Sequence, residues 1–261
     1  MDYRIVKYPR TQHLEGSRLQ EGDEDLAQVP FSEILGKNIV IEEKIDGANS
    51  AISFDGDGNL LLQSRGHYLD GGYRERHYNL LKQWGNNNCD IFFDVLGSRY
   101  IMYGEWMYAK HTIFYDALPH YFMEFDIYDR ERGVFLSTPE RRKMTEKMGI
   151  VFSVPVLGSG IYKTKKSVLD HIGPSLYITD AHIDNLRAVA ERHGLDVERQ
   201  VRETDPTNTM EGLYIKVEED GVVKERYKYV RAAFLQRVLE SNSHWQSRPI
   251  LPNLLKDGGT L

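Results

Sequence analysis

The sequence has little cysteine, no long apolar run and no excess of positive charge. Its single cysteine, Cys89, excludes an internal disulfide and a thiolate zinc site, and we expect it to be a loop thiol without a role. No segment approaches the roughly eighteen apolar residues of a membrane span, and the N-terminus lacks the apolar core of a signal peptide. These absences favour a soluble cytoplasmic protein without a membrane partner.

The charge balance also limits the kind of nucleic-acid contact that is expected. The chain has 33 basic and 39 acidic residues, a formal net charge of −6. A nucleic acid would therefore bind to a local basic patch, because the surface as a whole is not positive.

The 261 residues are enough for one large domain or two modest ones. Aromatic residues are the unusual component, with 16 Tyr, 10 Phe and 3 Trp. Tyrosine buries its ring while its hydroxyl stays hydrated, which suits a half-open cleft. Since no linker or internal repeat stands out, we expect a single domain over residues 1–261.

Apolar alternation and turn signals predict an α+β fold with a mostly antiparallel sheet. The predicted strands are a strand from Asn38, Ala51–Phe54, Leu60–Gln63, Tyr100–Glu105, Tyr121–Asp129, Val151–Leu157, Leu213–Val217 and Val222–Tyr229. The predicted helices cover 74–84, 137–149, 180–193 and 232–239. Residues 10–29 are polar and are predicted to be irregular.

The strongest local signal is a lysine between carboxylates at the end of a strand, in Glu43-Lys44-Ile45-Asp46-Gly47-Ala48-Asn49. Taken alone, this pattern is also typical of an ordinary strand-end ion pair. The later segments that change this interpretation are Ser64-Arg65-Gly66, Tyr103-Gly104-Glu105, Phe125-Asp126-Ile127, Glu211-Gly212 with Lys216, and Arg226-Tyr227-Lys228. Each has an ordinary structural explanation, but their order and spacing together are improbable by chance.

These segments resemble the motifs of covalent nucleotidyltransferases, the superfamily of ligases and capping enzymes, and most closely the RNA ligase 2 family. The resemblance covers Glu43 to Lys228, about 70% of the chain. It implies an ATP-grasp-like ligase adenylation domain with sheets flanking a nucleotide cleft. It also implies ATP as substrate and Mg²⁺, with Mn²⁺ as an alternative. The asparagine at 49 favours RNA ends or nicks over DNA.

The resemblance assigns a role to each matching residue. Lys44 would be the adenylated nucleophile, and Lys216 and Lys228 would hold the α-phosphate. Glu105 and Glu211 would bind the metal, with Glu105 also near the ribose. The other implied nucleotide-binding residues are Glu43 at the adenine edge, Asp46 and Gly47 in the turn, Asn49, Arg65, Phe125 stacked on the base, and Arg226.

Two features depart from the family pattern. Motif V usually has two lysines, but the first is Arg226 here, and arginine cannot serve as a tunable proton donor. Only 33 residues follow Lys228, so we expect no C-terminal OB or helical domain. A partner, or the N-terminal arm with Arg10, His13 and Arg18, would then support end joining.

Three alternatives to an RNA ligase in RNA repair remain open at this point. They are a small DNA ligase, a GTP-using capping-type enzyme, and a nucleotide-binding or nucleic-acid-binding module without ligation activity. The family's usual context also suggests an end-healing kinase or phosphatase partner. Lys110 and His111 are predicted at the rim of the cleft, and the basic runs 141–143 and 163–166 on solvated faces.

Overall fold

The computed structural model describes residues 4–17, 28–234 and 249–256, and its main feature is one large sheet. The strands are β1 Gln12–Leu14, β2 Gln28–Val29, β3 Asn38–Lys44, β4 Ala48–Phe54, β5 Leu60–Ser64, β6 Tyr100–Trp106, β7 Phe122–Asp129, β8 Val134–Leu136, β9 Phe152–Ser153, β10 Val156–Ile161, β11 Gly212–Glu219 and β12 Val222–Val230. The helices are α1 Asn79–Asn87, α2 Cys89–Leu96, α3 Thr138–Met148, α4 Lys165–Leu169, α5 His182–Arg192 and α6 Val197–Arg202, with 3₁₀ turns at Phe31–Glu33 and Tyr73–Tyr78.

The sheet has the order β10-β3-β11-β12-β8-β7-β6-β4-β5, and every neighbouring pair along this path is antiparallel. Three short parallel pairs lie beside the path, β1 with β12, β1 with β2 and β9 with β7. The expectation of a mixed α and β fold with a mostly antiparallel sheet is therefore confirmed.

The sheet consists of two halves joined through the three-residue strand β8. Phe135 of β8 pairs with Tyr128 of β7 and with Val223 of β12. Ion pairs also connect the halves, since Lys216 of β11 contacts Asp126 of β7. The two halves therefore face each other across a shared interior, which brings the ends of β3, β6 and β11 together.

Helix α3 shows how the local sequence sets the length of an element. Ser137 precedes it in an extended conformation and Pro139 lies in its first turn, where a missing N–H costs nothing. Gly149 ends the helix at φ 68°, a left-handed conformation that favours glycine. The predicted helix over 137–149 is confirmed.

Four local predictions are corrected. Residues 10–29 are not all irregular, because β1 and β2 occur there and the backbone of β1 pairs with Tyr227 and Lys228. Val151–Leu157 is divided into β9 and the start of β10, since Pro155 has no N–H for a ladder. Cys89 lies in α2 rather than in a loop, because Phe92 and Leu96 bury one face of a helix there. The helix predicted over 74–84 is a 3₁₀ turn over Tyr73–Tyr78 followed by α1.

Two further predictions concern the helices and the end of the chain. Arg141 does not lie on a solvated face, because it is fully buried between two carboxylates. Residues 232–234 are helical, and the rest of the helix predicted over 232–239 lies outside the described residues. None of the helices in the described ranges is long and apolar enough to cross a membrane.

Candidate active site

Lys44 and Glu211 form the centre of the site. Lys44 is the last residue of β3 and pairs with Gly212, the first residue of β11, so Glu211 lies directly beside it. The Lys44 Nζ donates a hydrogen bond to Glu211 Oε2 at 2.7 Å. The Lys44 side chain is 21% exposed and that of Glu211 1% exposed, so solvent reaches this ion pair through the lysine.

Two more carboxylates act on the same ammonium. Glu105 lies in β6 opposite Asn49 of β4, and Asp46 lies in the turn between β3 and β4. The charges of both raise the pKa of Lys44. The strand ends therefore assemble three acidic side chains around one lysine, although the residues are far apart in sequence.

The turn after Lys44 is held by hydrogen bonds to the segment that follows β6. Asp46 Oδ2 accepts hydrogen bonds from the backbone N–H groups of Thr112 and Ile113 at 2.7 and 3.0 Å. His111 Nδ1 lies 3.6 Å from Asp46 Oδ1. The Asp46 N–H donates to the Tyr115 hydroxyl at 2.8 Å. The Asp46 carboxylate is thus fixed in place.

Gly47 has no room for a side chain. A Cβ at this position would lie 2.5 Å from Met107 Sδ and 3.2 Å from the Trp106 carbonyl oxygen. The close approach of the turn to β6 therefore requires glycine, and it keeps Lys44 near Glu105. Next to it, Asn49 Oδ1 is buried without a hydrogen bond in the part of the chain that the structure describes.

The pKa values of the site are shifted first by burial and then by the charges that lie close together there. Burial lowers the pKa of Lys44, but Glu211, Glu105 and Asp46 outweigh it and hold that pKa above its ordinary value. Burial raises the pKa of Glu105 to about 8, against the attraction of Lys44. Burial also raises the pKa of Glu211 to about 7, although Lys44 and Lys228 lower it. The attraction of Lys44 therefore does not offset the effect of burial on the pKa values of Glu105 and Glu211.

Lys228 and Arg65 lie close enough to influence these carboxylates. The charge of Lys228 lowers the pKa of Glu211, and that of Arg65 lowers the pKa of Glu105. Lys228 is buried in β12, whereas Arg65 is exposed directly after β5. The structure thus brings together six of the predicted site residues, namely Lys44, Asp46, Arg65, Glu105, Glu211 and Lys228.

The Lys216 ammonium pairs with carboxylates other than those around Lys44. Its Nζ lies 2.9 Å from Glu42 Oε2 and 3.0 Å from Asp126 Oδ1, and it donates to the Phe125 carbonyl oxygen. The side chain is fully buried. The ammonium is therefore part of an internal charge network rather than beside Lys44.

Phe125 and Arg226 lie around an N-terminal residue, Tyr8. The Tyr8 ring packs edge-on against Phe125, with centroids 5.0 Å apart, and Arg226 lies 5.3 Å from the Tyr8 ring centre. The Tyr8 hydroxyl donates to Asp126 Oδ2 at 2.5 Å. Tyr8 therefore connects the N-terminal segment with both halves of the sheet.

Glu43 belongs to a separate environment. It faces away from its neighbour Lys44 along β3, as alternate strand residues do. Burial raises its pKa to about 7, opposed by Ser175 and the backbone of Leu176. Glu43 is thus next to the 175–177 segment, where Leu176 is 72% exposed.

A comparison with known protein families covers the residues of this site. The family model described as RNA ligase matches residues 37–230, which include every predicted site residue. The chain belongs to the RNA ligase family. No curated protein sequence matches it.

Solved structures of RNA ligases have a similar fold. An RNA ligase variant from Naegleria gruberi, solved with AMP and Mn, has a TM-score of 0.57 and 17% identity, over 92% of this chain and 60% of that one. A second variant, with ATP and Mn, has a TM-score of 0.55 and 17% identity, over 91% and 59%. A third, also with ATP and Mn, has 0.55 and 18%, over 92% and 60%. The chain spans about three fifths of the length of these relatives.

The site of this RNA ligase family member has donors that suit a divalent cation. Glu105 Oε2 is buried without a hydrogen-bond partner among the described residues. Carboxylate oxygens are the ligands that Mg²⁺ and Mn²⁺ prefer. Among residues 4–17, 28–234 and 249–256 no three or more acidic, histidine or cysteine side chains lie together in a way that could hold a metal ion. A cation held by Glu105 and Glu211 would therefore take most of its ligands from water or from the nucleotide.

Several important residues were not found from the family motifs. Glu42, Glu124 and Arg141 complete the buried network, and Tyr8 and His111 hold the loops around the site. Glu42 and Glu124 stand next to apolar residues and Arg141 stands in a basic run, and neither setting shows which distant residue pairs with the charge. Lys110 and His111 are buried rather than at the rim, and His13 is buried beside Ser17. Arg10 is exposed, and Arg18 lies outside the described residues.

Proposed function

We propose that the protein is an ATP-dependent RNA ligase that joins 5′-phosphate and 3′-hydroxyl ends through an adenylate on Lys44. The observation that carries this proposal is the Lys44 Nζ at 2.7 Å from Glu211 Oε2, with Glu105 and Asp46 acting on the same ammonium. The lysine is partly exposed and belongs to the first of the family motifs. ATP, AMP and Mn in the Naegleria gruberi structures support the choice of nucleotide and metal.

The first step would form the bond between Lys44 Nζ and the α-phosphorus and break the bond to pyrophosphate. The amine attacks with its lone pair, so Lys44 must first lose a proton. Glu211 Oε2, which already accepts a hydrogen bond from Nζ, is in a position to receive it. Bound Mg²⁺ or Mn²⁺, held by Glu105 and Glu211, would neutralise charge on the triphosphate.

The next two steps would use the same site. A 5′-phosphate oxygen attacks the adenylate phosphorus, which frees Lys44 and forms a 5′–5′ pyrophosphate linkage. A 3′-hydroxyl then attacks the 5′-phosphate and AMP leaves. Lys228 and Arg65 supply positive charge next to Glu211 and Glu105, where an RNA phosphate would enter.

Further roles stay predictions. They are the contact of Glu43 with the adenine edge, stacking of Phe125 on the base, and phosphate contacts of Lys216 and Arg226. We also predict an enclosed nucleotide cleft, a single domain, a cytoplasmic location and an end-healing kinase or phosphatase partner.

Incubation of the purified protein with Mg²⁺ and α-labelled ATP, in parallel with α-labelled GTP, tests the proposal. We expect label from ATP on the denatured wild-type chain and none on Lys44→Ala. Label from GTP alone would instead indicate a capping-type enzyme. Absence of label from both, after removal of bound nucleotide, would indicate a binding module. Sealing of matched RNA and DNA nicks by the labelled protein would separate RNA ligase from DNA ligase.

A further inference from the structure

The segment between β5 and α1 presents an aromatic ring to solvent. Tyr73 is 79% exposed, the most exposed large hydrophobic or aromatic residue of the described chain. The Arg76 guanidinium carbon lies 4.5 Å from the centre of its ring, and Arg76 also donates to its hydroxyl. Arg76 therefore covers part of the ring, while most of Tyr73 remains accessible.

The segment is attached to the strand that carries Glu105. The Trp106 indole N–H donates to the His77 carbonyl oxygen at 2.7 Å. Burial raises the pKa of Tyr78, and the charge of Glu105 raises it further, which places Tyr78 near that carboxylate. Because a 3₁₀ helix rises about 2 Å per residue, Tyr73 lies about 10 Å along the turn from Tyr78. The exposed ring is thus about 10 Å along the chain from Tyr78, the residue of this turn that the charge of Glu105 reaches.

In this part of the chain the positive charges of Arg65 and Arg76 lie near the surface, whereas the carboxylate of Glu75 is buried. Glu75 is buried, lies 2.5 Å from Lys82 Nζ and accepts a hydrogen bond from the Gly71 N–H at 2.9 Å. Within the described chain, Arg65 and Arg76 form no ion pair with an acidic side chain. Asp70 is the only exposed carboxylate of residues 65–78. The outer surface is therefore locally basic in a protein whose net charge is −6.

We propose that Tyr73 and Arg76 form a stacking platform for an unpaired base of the RNA strand whose end enters the site, an inference that rests on the proposed function. An exposed ring beside a guanidinium is what sequence-tolerant binding of single strands requires, since every base offers a π-face and every nucleotide a phosphate. Arg65 acts on Glu105, and His67 of the same turn lies 4.0 Å from Glu75 of the segment, so this basic residue is connected both to the platform and to the Lys44 site.

The experiment measures binding of a fluorescent single-stranded RNA with a 5′-phosphate to the full chain at several salt concentrations. Tyr73→Ala should raise the Kd about 5- to 150-fold with little change in salt dependence, because stacking is lost and no charge is removed. Tyr73→Phe should restore binding. Arg76→Ala should reduce the slope of log K against log salt by about 0.7, the value for one phosphate contact on a single strand.

Controls separate this inference from the proposed function. Lys166→Ala removes an exposed charge on α4 and should not change the affinity beyond the small general effect of one charge. Labelling of Lys44 by ATP needs no RNA, so Tyr73→Ala should be labelled as the wild type is. A fully paired RNA duplex should show little loss with Tyr73→Ala.

Three results would overturn the inference. The first is wild-type affinity of both Tyr73→Ala and Arg76→Ala while the wild type binds RNA. The second is an equal loss on single strands and on paired duplex, which would mean that no unpaired base is stacked. The third is absence of RNA binding or of ATP label in the wild type, which would overturn the proposed function and this inference with it.

Discussion

The ammonium of Lys216 lies 2.9 Å from Oε2 of Glu42, and both side chains are wholly buried. Arg141 donates to Glu42 and to Glu124, so the network joins β3, β7, β11 and α3. Glu42 is two residues before Lys44 and lies on the same face of β3. The network therefore holds the strand that carries the proposed nucleophile.

Lys216→Ala should lower the free energy of unfolding by about 3–5 kcal/mol, because it removes the buried ion-pair partner of Asp126 and leaves Glu42 with Arg141 alone. Lys44→Ala should cost less, since Lys44 is 21% exposed and Glu211 can take up a proton. Urea denaturation of both variants measures the difference. Wild-type stability of Lys216→Ala together with loss of ATP labelling would contradict the structural role and favour direct contact with the phosphate.

Features that depend on neighbouring residues could be predicted from the sequence, whereas features that depend on distant residues could not. β7 and β12 alternate apolar and polar residues, and α3 has a start and a stop signal, so their positions follow from neighbouring residues. The motif residues Lys44, Glu105 and Glu211 could be placed at or next to strand ends from the same local patterns. These parts of the fold and of the candidate site were accessible from the sequence.

Burial of charge depends on partners that are distant in the chain. Arg141 reads as part of a basic run, yet it is 17 residues from Glu124 and 99 from Glu42. β1 has only three residues and is stabilised by pairing with β12, more than 200 residues later. No periodicity over a short window contains this information, so the buried network and the N-terminal strand could not be predicted.

Glu105→Gln should stabilise the protein in the absence of metal at alkaline pH. The pKa of Glu105 is about 8 in the folded protein and near 4.5 ordinarily. Between these values the folded state holds more protons than the unfolded state, so the free energy of unfolding falls as pH rises. The variant should be about 1–3 kcal/mol more stable at pH 8.5 and nearly unchanged at pH 5.

Urea denaturation in a chelating buffer at both pH values measures this effect. Glu33→Gln, at an exposed position in the first 3₁₀ turn, is the matched control and should change stability at neither pH. Added Mg²⁺ should stabilise the wild type and leave Glu105→Gln unaffected. A variant less stable than the wild type at pH 8.5 would contradict the unfavourable placement of this carboxylate.

Adenylation of Lys44 should become faster as pH rises from 6 to 9. The pKa of Lys44 lies above its ordinary value, so the fraction of free amine grows with pH. Glu105 and Glu211, with pKa values of about 8 and 7, also lose protons in this range and become better metal ligands. Less Mg²⁺ should then be needed for half-maximal labelling.

Rapid labelling with α-labelled ATP at constant ionic strength gives the profile. The reaction is stopped in alkaline detergent, because a phosphorus–nitrogen bond is labile in acid. A rate independent of pH between 6 and 9 at saturating ATP would show that loss of the Lys44 proton does not limit the step.

Gly212→Ala should disturb the strand pair that holds Lys44 beside Glu211. A Cβ at Gly212 would lie 1.9 Å from the carbonyl oxygen of Tyr229, a backbone atom of the neighbouring strand that cannot rotate away. β11 and β12 would have to separate, at a cost of about 3 kcal/mol. Gly173→Ala is the matched control, since nothing lies within 4 Å of its added Cβ, and it should change stability by less than about 0.5 kcal/mol.

The two alanine variants also separate positioning from stability. Gly212 pairs with Lys44 and directly follows Glu211, so a shift of β11 changes the distance between the ammonium and its carboxylate. ATP labelling at low temperature, where Gly212→Ala is still folded, should be slower than in Gly173→Ala. Equal labelling rates in two folded variants would mean that the 2.7 Å contact between Lys44 and Glu211 is not required for adenylation.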